Sequence, residues 1–503
     1  MVYSFSKKKL VELLIIISLL WFSINTGSKY VNPDYFRNNN ELNFVNIFRA
    51  IIPYLFIFYF FLFVQNKKNI LKIIYTNFFL KFFFIYALLQ LFGLIYLQEN
   101  IHEHYYIICL LSLIIFYSYL QFEQNSIYLK IIYMFNILVI FIVFIFFIST
   151  TYKENILSHN ILYHSSFFIE SFFNEDNPRA SGLSRMALIT FIFVNSIYFS
   201  YRKFFIIKLF SIIINIFLIS TILLLQSRGA ILSLILIYFT INVIFKFENF
   251  FNRLKYFFFF IITPILIFIV YPNIKIKLIE IYGLQTNPKL KFFYNQKKIN
   301  DKYIIQFRNF TNINNLDDNL INKANSFSNN RIAAWNTLLQ IFFTNKLDEN
   351  IKKQIEIQGY NPYKFQIKKK LNYLTGYGPQ ADRFILFDKT NWSSNGKMLG
   401  PFGNHASNGF VYSLICSGIS GFILFITLNL IIFFKIINVI IYSIKNNINN
   451  YINLSSSILI IIFLQFRILL ENSYSVFGTD MIIFFASYLL FENQKKSICS
   501  NHV

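Results

Sequence analysis

PFGNHASNGFVYSLICSGISGFILFITLNLIIFFK, residues 401–435, decides the fold. His405 sits near its start in a polar run of Gly, Asn and Ser. From Gly409 to Phe434 there are 26 residues without a charge. A run of that length suits a helix crossing hydrocarbon ~30 Å thick. Lipid offers no partner for backbone N–H and C=O groups, so such a run must satisfy them internally, as a helix.

The pattern repeats along the chain. Apolar segments fall at 10–26, 44–64, 78–97, 105–122, 128–150, 186–200, 204–226, 230–246, 256–271, 409–434, 454–470 and 479–491, the sixth and twelfth being short. The 503 residues are 56% hydrophobic and 20% aromatic, with mean hydropathy +0.50, outside the soluble range. The expected fold is an all-α polytopic membrane protein of about 12 transmembrane helices with one large, partly helical outer loop. Met1–Ser28 has a basic start and an apolar run with no small-residue cleavage site after it, and reads as an uncleaved first span.

Charge sets the orientation. Lys7–Lys9, Lys67, Lys68, Lys72, Lys130, Arg202, Lys203, Lys246, Arg253, Lys255, Lys435–Lys445, Lys495 and Lys496 fall on one side if every span crosses. By the positive-inside rule that side is the cytoplasm, so both termini are inside. The chain divides into 1–271, with helices 1–9 and an outer loop at 151–185; a large outer loop at 272–407; and 408–503, with helices 10–12 and a cytoplasmic tail. The large loop carries 20 Lys/Arg against 9 Asp/Glu, but long loops escape the rule.

The net charge of +23 does not call for nucleic acid. Phe, Ile, Asn and Lys are what AT-rich codons encode, and the basic side should face anionic membrane lipid. Cys109, Cys416 and Cys499 form no disulfide framework or metal-ligand spacing, and no cofactor is expected.

Charges where a span alone would not put them are the informative ones. Lys81 and Lys208 lie near helix ends and can snorkel. Arg228, in LLLQSRGAILSL (223–234), sits in a short outer turn between two spans. Arg49 lies near an outer helix end. Arg467 and Glu471 are one turn apart and are expected to pair. NPRASGLSRM (177–186) brings Arg179 and Arg185 close to the sixth span. NNRIAAWNTLLQIFF (329–343) reads as a helix capped by Asn330, with Ile332, Trp335, Leu338, Leu339 and Phe342 on one face. Arg331 falls in its first turn, where the dipole disfavours a cation, and a structural role alone would not choose that place. TGYGPQADRF (375–384) is a Gly/Pro turn with Asp382 and Arg383.

One membrane face thus gathers several arginines and five of the six histidines: His102, His104, His159, His164 and His405. Arginine forks bind phosphate oxygens and keep their charge, which suits a lipid-linked diphosphate. An imidazole at the membrane mouth can take a proton from an attacking sugar hydroxyl. Asn408 could orient that ring or bind sugar, and Gly403 and Gly409 allow close backbone approach.

In their order these motifs resemble the O-antigen ligase and polymerase family of bacterial envelope proteins. The features are QSRGA (226–230), RIAAW (331–335), GYG (376–378) and HASN (405–408) followed by SGISG (417–421). The family histidine is usually followed directly by Asn, whereas here two residues intervene. The resemblance implies an inner-membrane enzyme whose large loop is periplasmic. It implies metal-independent transfer of a glycan from undecaprenyl diphosphate to a sugar of lipid A–core, in a ligase, or to another lipid-linked repeat, in a polymerase. His405 is then the candidate base. Arg228, Arg331, Arg383, Arg179, Arg185, Asn408, Gly376 and Gly378 are candidate substrate-binding residues.

Two other functions fit parts of the pattern. A flippase of lipid-linked sugars would suit twelve spans, but would show repeated halves and broken spans at mid-membrane. A metal-dependent transferase would use outer carboxylates such as Asp34 or Glu41.

Overall fold

The structure is a computed structural model of the chain. It describes residues 44–63, 67–97, 103–122, 126–157, 180–201, 203–225, 227–244, 408–445, 452–500 and, with gaps, 250–270 and 331–388. The first apolar segment and all of 272–330 lie outside the described residues. Two units are each drawn from separate stretches of chain: Met1–Tyr133 with Asn315–Asn438 and Leu464–Val503, and Met134–Asn314 with Val439–Phe463.

Helices dominate. In chain order they are α1 (Phe44–Phe63), α2 (Lys67–Thr76), α3 (Phe78–Leu97), α4 (His104–Phe122), α5 (Ser126–Leu157), α6 (Ala180–Ser200), α7 (Phe205–Leu224), α8 (Arg228–Ile244) and α9 (Phe250–Phe257, continued by a π turn at Phe258–Ile262). After them come α10 (Arg331–Thr344), α11 (Gly409–Lys445), α12 (Ile452–Arg467) and α13 (Thr479–Ser500). A three-residue strand pair, β1 (Phe365–Ile367) and β2 (Leu386–Asp388), is antiparallel, with Gln366 opposite Phe387. Of these helices α3, α4, α5, α6, α7 and α11 are long and apolar enough to cross a membrane. The chain is therefore a predominantly helical, multi-pass membrane protein.

Several boundaries differ from the sequence reading. The sixth segment is not short: α6 gains two turns and starts at Ala180. The last extends through 22 residues to Ser500 as its apolar face gives way to a polar one. α5 runs on to Leu157, so part of the outer loop assigned to 151–185 is helix. The stretch from Lys435 to Lys445 is not a loop but the end of α11. There the Lys435 ammonium meets Glu492 at 2.6 Å and the Tyr488 hydroxyl at 2.9 Å, both from α13.

In the first unit, aromatic residues knit α3 to α13. The Phe79 ring stacks on Tyr488 at 4.1 Å and meets Phe485 edge-on at 4.7 Å. The large loop is not free of this core. Ala334, Leu338, Ile341 and Phe342 of α10 bury against Tyr377, Ala381 and Ile385 of the following turns and against Tyr412, Ile415 and Cys416 of α11. The expected apolar face of α10 is thus present, centred on Ala334–Leu338–Ile341. Trp335 and Leu339 flank it half-buried, and Asn330 lies outside the described residues.

The helix α11 is interrupted. Gly418 has φ +68° and ψ −172°, a conformation open essentially to glycine alone. The break removes the rungs from Ile419 to Ile415 and from Ser420 to Cys416. The segment 373–378 replaces both. Tyr377 and Gly378 donate N–H to the carbonyls of Ile415 and Cys416 at 3.0 and 2.9 Å. Ile419 and Ser420 donate to the carbonyls of Tyr373 and Leu374 at 2.8 and 3.3 Å. Glycines make this approach possible. A Cβ on Gly93 of α3 would lie 2.7 Å from the Gly378 nitrogen and 2.8 Å from the Gly376 oxygen.

In the second unit, α6 and α7 form a hairpin across the turn at 201–204, and α8 packs against both. Asn195 of α6 donates to the Tyr256 hydroxyl at 3.0 Å, and Tyr256 stacks on Tyr238 of α8 at 5.5 Å.

The glycine contacts make a sharp prediction. Gly418→Ala and Gly93→Ala should each cost ~1–3 kcal/mol, by backbone strain in the first and by overpacking in the second. Both should expose the 372–378 segment to protease in detergent. Melting and cleavage unchanged in both variants would show that the segment is not held between α3 and α11.

Candidate functional site

The start of α11 is built by three elements that meet in the first unit. Asn408 caps the helix: its Oδ1 accepts from the N–H groups of Phe410 and Val411 at 2.9 and 3.1 Å. Its Nδ2 donates to the Leu469 carbonyl at 3.0 Å, and its own N–H goes to Asn472 Oδ1 at 3.1 Å. Gly409 N–H reaches the Ile468 carbonyl at 2.8 Å. The connection between α12 and α13 thus clamps the point where α11 begins. The Asn408 amide thus serves as cap and clamp.

The same connection organises two ion pairs, and neither is the expected one. The α12 helix ends at Arg467, so Glu471 does not continue on its face and the one-turn pairing is lost. Arg467 Nε instead meets Asp480 Oδ2 at 3.1 Å, with side chains 11% and 4% exposed. Arg467 closes α12 and Asp480 opens α13, so each also sits at the favourable end of a helix dipole. Glu471 meets Arg331 at 3.0 Å, and a second Arg331 nitrogen donates to the Leu470 carbonyl. Arg331 therefore has a structural role in the first turn of α10: a carboxylate and a carbonyl offset the dipole that disfavours it. A third of its side chain remains exposed.

Gly376 and Gly378 both have positive φ, +71° and +88°. A Cβ on Gly376 would run into the backbone of Ser417 and Gly418, and one on Gly378 would lie 2.9 Å from Leu94. Their freedom serves the docking of this turn against α3 and α11, not the approach of a ligand to those glycines. Behind the turn lies a polar cluster that sequence reading missed. Gln380, with φ +58° and 3% exposed, donates its N–H to the Tyr412 hydroxyl at 3.1 Å. Asp382 is fully buried in the short 3₁₀ turn Ala381–Arg383. The only local signal for it in the sequence is the Gly-x-Gly-Pro turn that precedes Gln380.

The second unit holds Arg185 and Arg228. Arg185 lies in the second turn of α6, and Arg228 is the first residue of α8. Because α7 runs back between them, α6 and α8 point the same way, and both arginines stand at the same end of neighbouring helices. Each has partners within the chain and is half-buried. Arg228 stands where the helix dipole disfavours a cation, and Arg185 one turn further in.

His405 and Arg179 lie outside the described residues, as does the side chain of Arg383. Of the other outer histidines, His104 shares a hydrogen bond with the Tyr54 hydroxyl of α1. Outside the spans, Lys352 holds the Glu349 carboxyl below its ordinary value by a 2.6 Å hydrogen bond. This is a surface pair, with Glu349 mostly exposed, and contributes nothing measurable to the site.

The ion pairs can be separated by mutation. Arg467→Met should destabilise by ~3–5 kcal/mol, because it strands Asp480 in the interior. Arg467→Met with Asp480→Leu should recover most of that loss. A double variant no better than the single in thermal unfolding would refute the pairing. Asn408→Ala should cost ~1 kcal/mol through loss of the cap, and Asn408→Ser should cost less.

No family model matches the chain, nor does any curated protein or solved structure, so the functional reading rests on the chemistry of these residues.

Proposed function

We propose that the chain is a membrane glycosyltransferase of the O-antigen ligase or polymerase type. It transfers a glycan from undecaprenyl diphosphate to a sugar hydroxyl at the periplasmic face of the bacterial inner membrane. The observation that carries this is the pair Arg185 and Arg228 at one end of the co-directional helices α6 and α8. Arginine forks bind phosphate oxygens and keep their charge, and two of them at one end of neighbouring helices suit an anion with several acceptor oxygens. A diphosphate at the head of a lipid is such an anion, and it would be presented at the ends of membrane-length helices.

In this reading the shorter apolar helices α1, α8, α9 and α12, the apolar part of α13 and the first apolar segment also cross, giving about twelve spans with both termini cytoplasmic and 272–407 periplasmic. His405 takes the proton from the acceptor hydroxyl as its oxygen attacks the anomeric carbon. The bond from that carbon to the diphosphate oxygen breaks, and the electron pair leaves with the diphosphate. Arg228 and Arg185, with Arg179, stabilise the charge that develops there, the largest contribution to such a transfer. Arg331 and Arg383 are further candidate donor-binding residues. The acceptor is lipid A–core in a ligase and a second lipid-linked repeat in a polymerase. No metal is required by this scheme.

The break in α11 favours a second reading, a flippase of lipid-linked sugars, because discontinuous helices line transport sites. The four backbone groups freed by the break are taken up by the chain's own loop, however, not left for a substrate.

His405→Ala and Arg228→Ala should leave the protein in the membrane and lower glycan transfer by ~10²-fold or more, the contribution expected of a positioned base. The check is gel analysis of lipopolysaccharide from a deletion strain carrying each variant. Bare core with accumulated lipid-linked polymer marks a ligase; core with one repeat marks a polymerase. Surface polysaccharide like the wild type in both variants overturns the assignment. Transfer by purified protein should persist in chelator, and its loss would favour the metal-dependent alternative. Asn350→Cys should react with an impermeant thiol reagent from the periplasm; labelling only after the inner membrane is opened would invert the topology.

A further inference from the structure

The short helix α2 has no part in the transfer reaction, and its surface has an unusual make-up. Its ten residues rise ~15 Å, half the thickness of the hydrocarbon, so it does not cross. It is pinned at the ends of two helices that are long enough to cross. Asn77, just after it, caps α3 through Oδ1, accepting from Phe79 and Leu80 N–H at 2.9 and 3.3 Å. The Asn77 Nδ2 donates to Gln121 Oε1 near the end of α4 at 3.1 Å. Ile70 and Ile74 bury against the α3–α4 pair. The helix therefore lies where membrane-length helices end, at the level of lipid headgroups.

Its outward face runs Lys68, Leu71, Lys72, Tyr75, at helical spacings of three, one and three residues. Leu71 is 40% and Tyr75 72% exposed. Lys81 of α3 places its ammonium 5.0 Å from the centre of the Tyr75 ring. Lys67 turns away from this face and donates to the Phe61 carbonyl at the end of α1. Among the described residues no ion pair neutralises Lys68, Lys72 or Lys81, and no Asp or Glu occurs between Glu41 and Glu99. An apolar strip set among unpaired cations suits an interfacial helix: the strip enters the acyl boundary while the cations meet headgroups.

We propose that the Lys68–Leu71–Lys72–Tyr75 face of α2, completed by Lys81, is a binding surface for the phosphates of anionic phospholipid in the membrane plane. Leu71 and Tyr75 anchor the helix, and the three ammonium groups collect negatively charged headgroups around it. The inference stands apart from the proposed transfer reaction and from the side of the membrane on which α2 lies.

The test uses the full chain in phosphatidylcholine vesicles with spin-labelled phosphatidylglycerol or phosphatidylcholine as probe. The wild type should immobilise phosphatidylglycerol in preference. Lys68→Gln with Lys72→Gln should lower that preference roughly fivefold or more. Lys352→Gln with Lys353→Gln removes the same charge from the large loop and should leave it unchanged. An equal fall in both double variants would mean that net charge, not this face, selects the lipid, and would overturn the proposal; so would no fall in either. Should the α2 variant fold poorly, Tyr75→p-benzoylphenylalanine in the otherwise native chain gives a second readout in intact membranes. Photocrosslinking to phospholipid is the expected result. Crosslinking to a second polypeptide would show that the face is a protein contact and sink the inference.

Discussion

A membrane-length helix cannot be broken without finding partners for the groups the break exposes. In hydrocarbon each unsatisfied N–H or C=O costs several kcal/mol, so α11 could not hold its interruption at Gly418 by itself. The loop segment 373–378 supplies two donors and two acceptors in register with the two missing rungs. The rest of the first unit follows from that exchange. The segment must run close enough to α11 for backbone pairing, so Gly376 and Gly378 face it. It must also pass α3, so Gly93 faces it there. With the turn fixed, Tyr377, Ala381 and Ile385 gain a buried position and become the surface on which α10 folds.

The far side of the same assembly is held by charge and amide groups instead of backbone pairing. The stretch from Ile468 to Asn472 touches the first residue of α10, the cap of α11 and, through Arg467, the first turn of α13. It reaches them mainly with carbonyls and the Asn472 amide, groups that do not titrate. The two ion pairs differ in consequence. Arg467–Asp480 is buried, so either partner alone would be a stranded charge. Arg331–Glu471 is partly exposed and contributes less, but it ties the large loop to the helices at a point where a cation would otherwise be disfavoured.

Much of the helical inventory was legible in the sequence because it depends on local quantities. The run from Phe78 to Leu97 and that from Phe205 to Leu224 need only length and apolarity to be seen, and α10 only its period. What could not be read was tertiary. Arg467 and Glu471 have ideal spacing for a pair on one helix, but the helix stops between them, and the true partners lie 13 residues ahead and 140 residues back. Lys435 reads from sequence as the start of a loop, whereas it lies inside α11 and its partner Glu492 is 57 residues away. Asn408 looked like a ligand because it follows a histidine in a polar run. Its cap role was visible in principle, since Asn directly before an apolar helix is a standard N-terminal signal.

The motifs behind the family resemblance divide in an instructive way. GYG and SGISG face each other across the break in α11, so their glycines answer to a packing constraint. RIAAW supplies an ion pair and a buried face, and the Asn of HASN supplies a cap. Such residues are restricted by geometry whatever passes between them, and they can keep a motif recognisable without touching a substrate. QSRGA is different. The dipole of α8 disfavours a cation at its first residue, yet Arg228 stands there, with Arg185 in the second turn of α6. The glycines and the clamp then read as the frame that lets a long loop approach the membrane surface without leaving a backbone group unsatisfied in lipid.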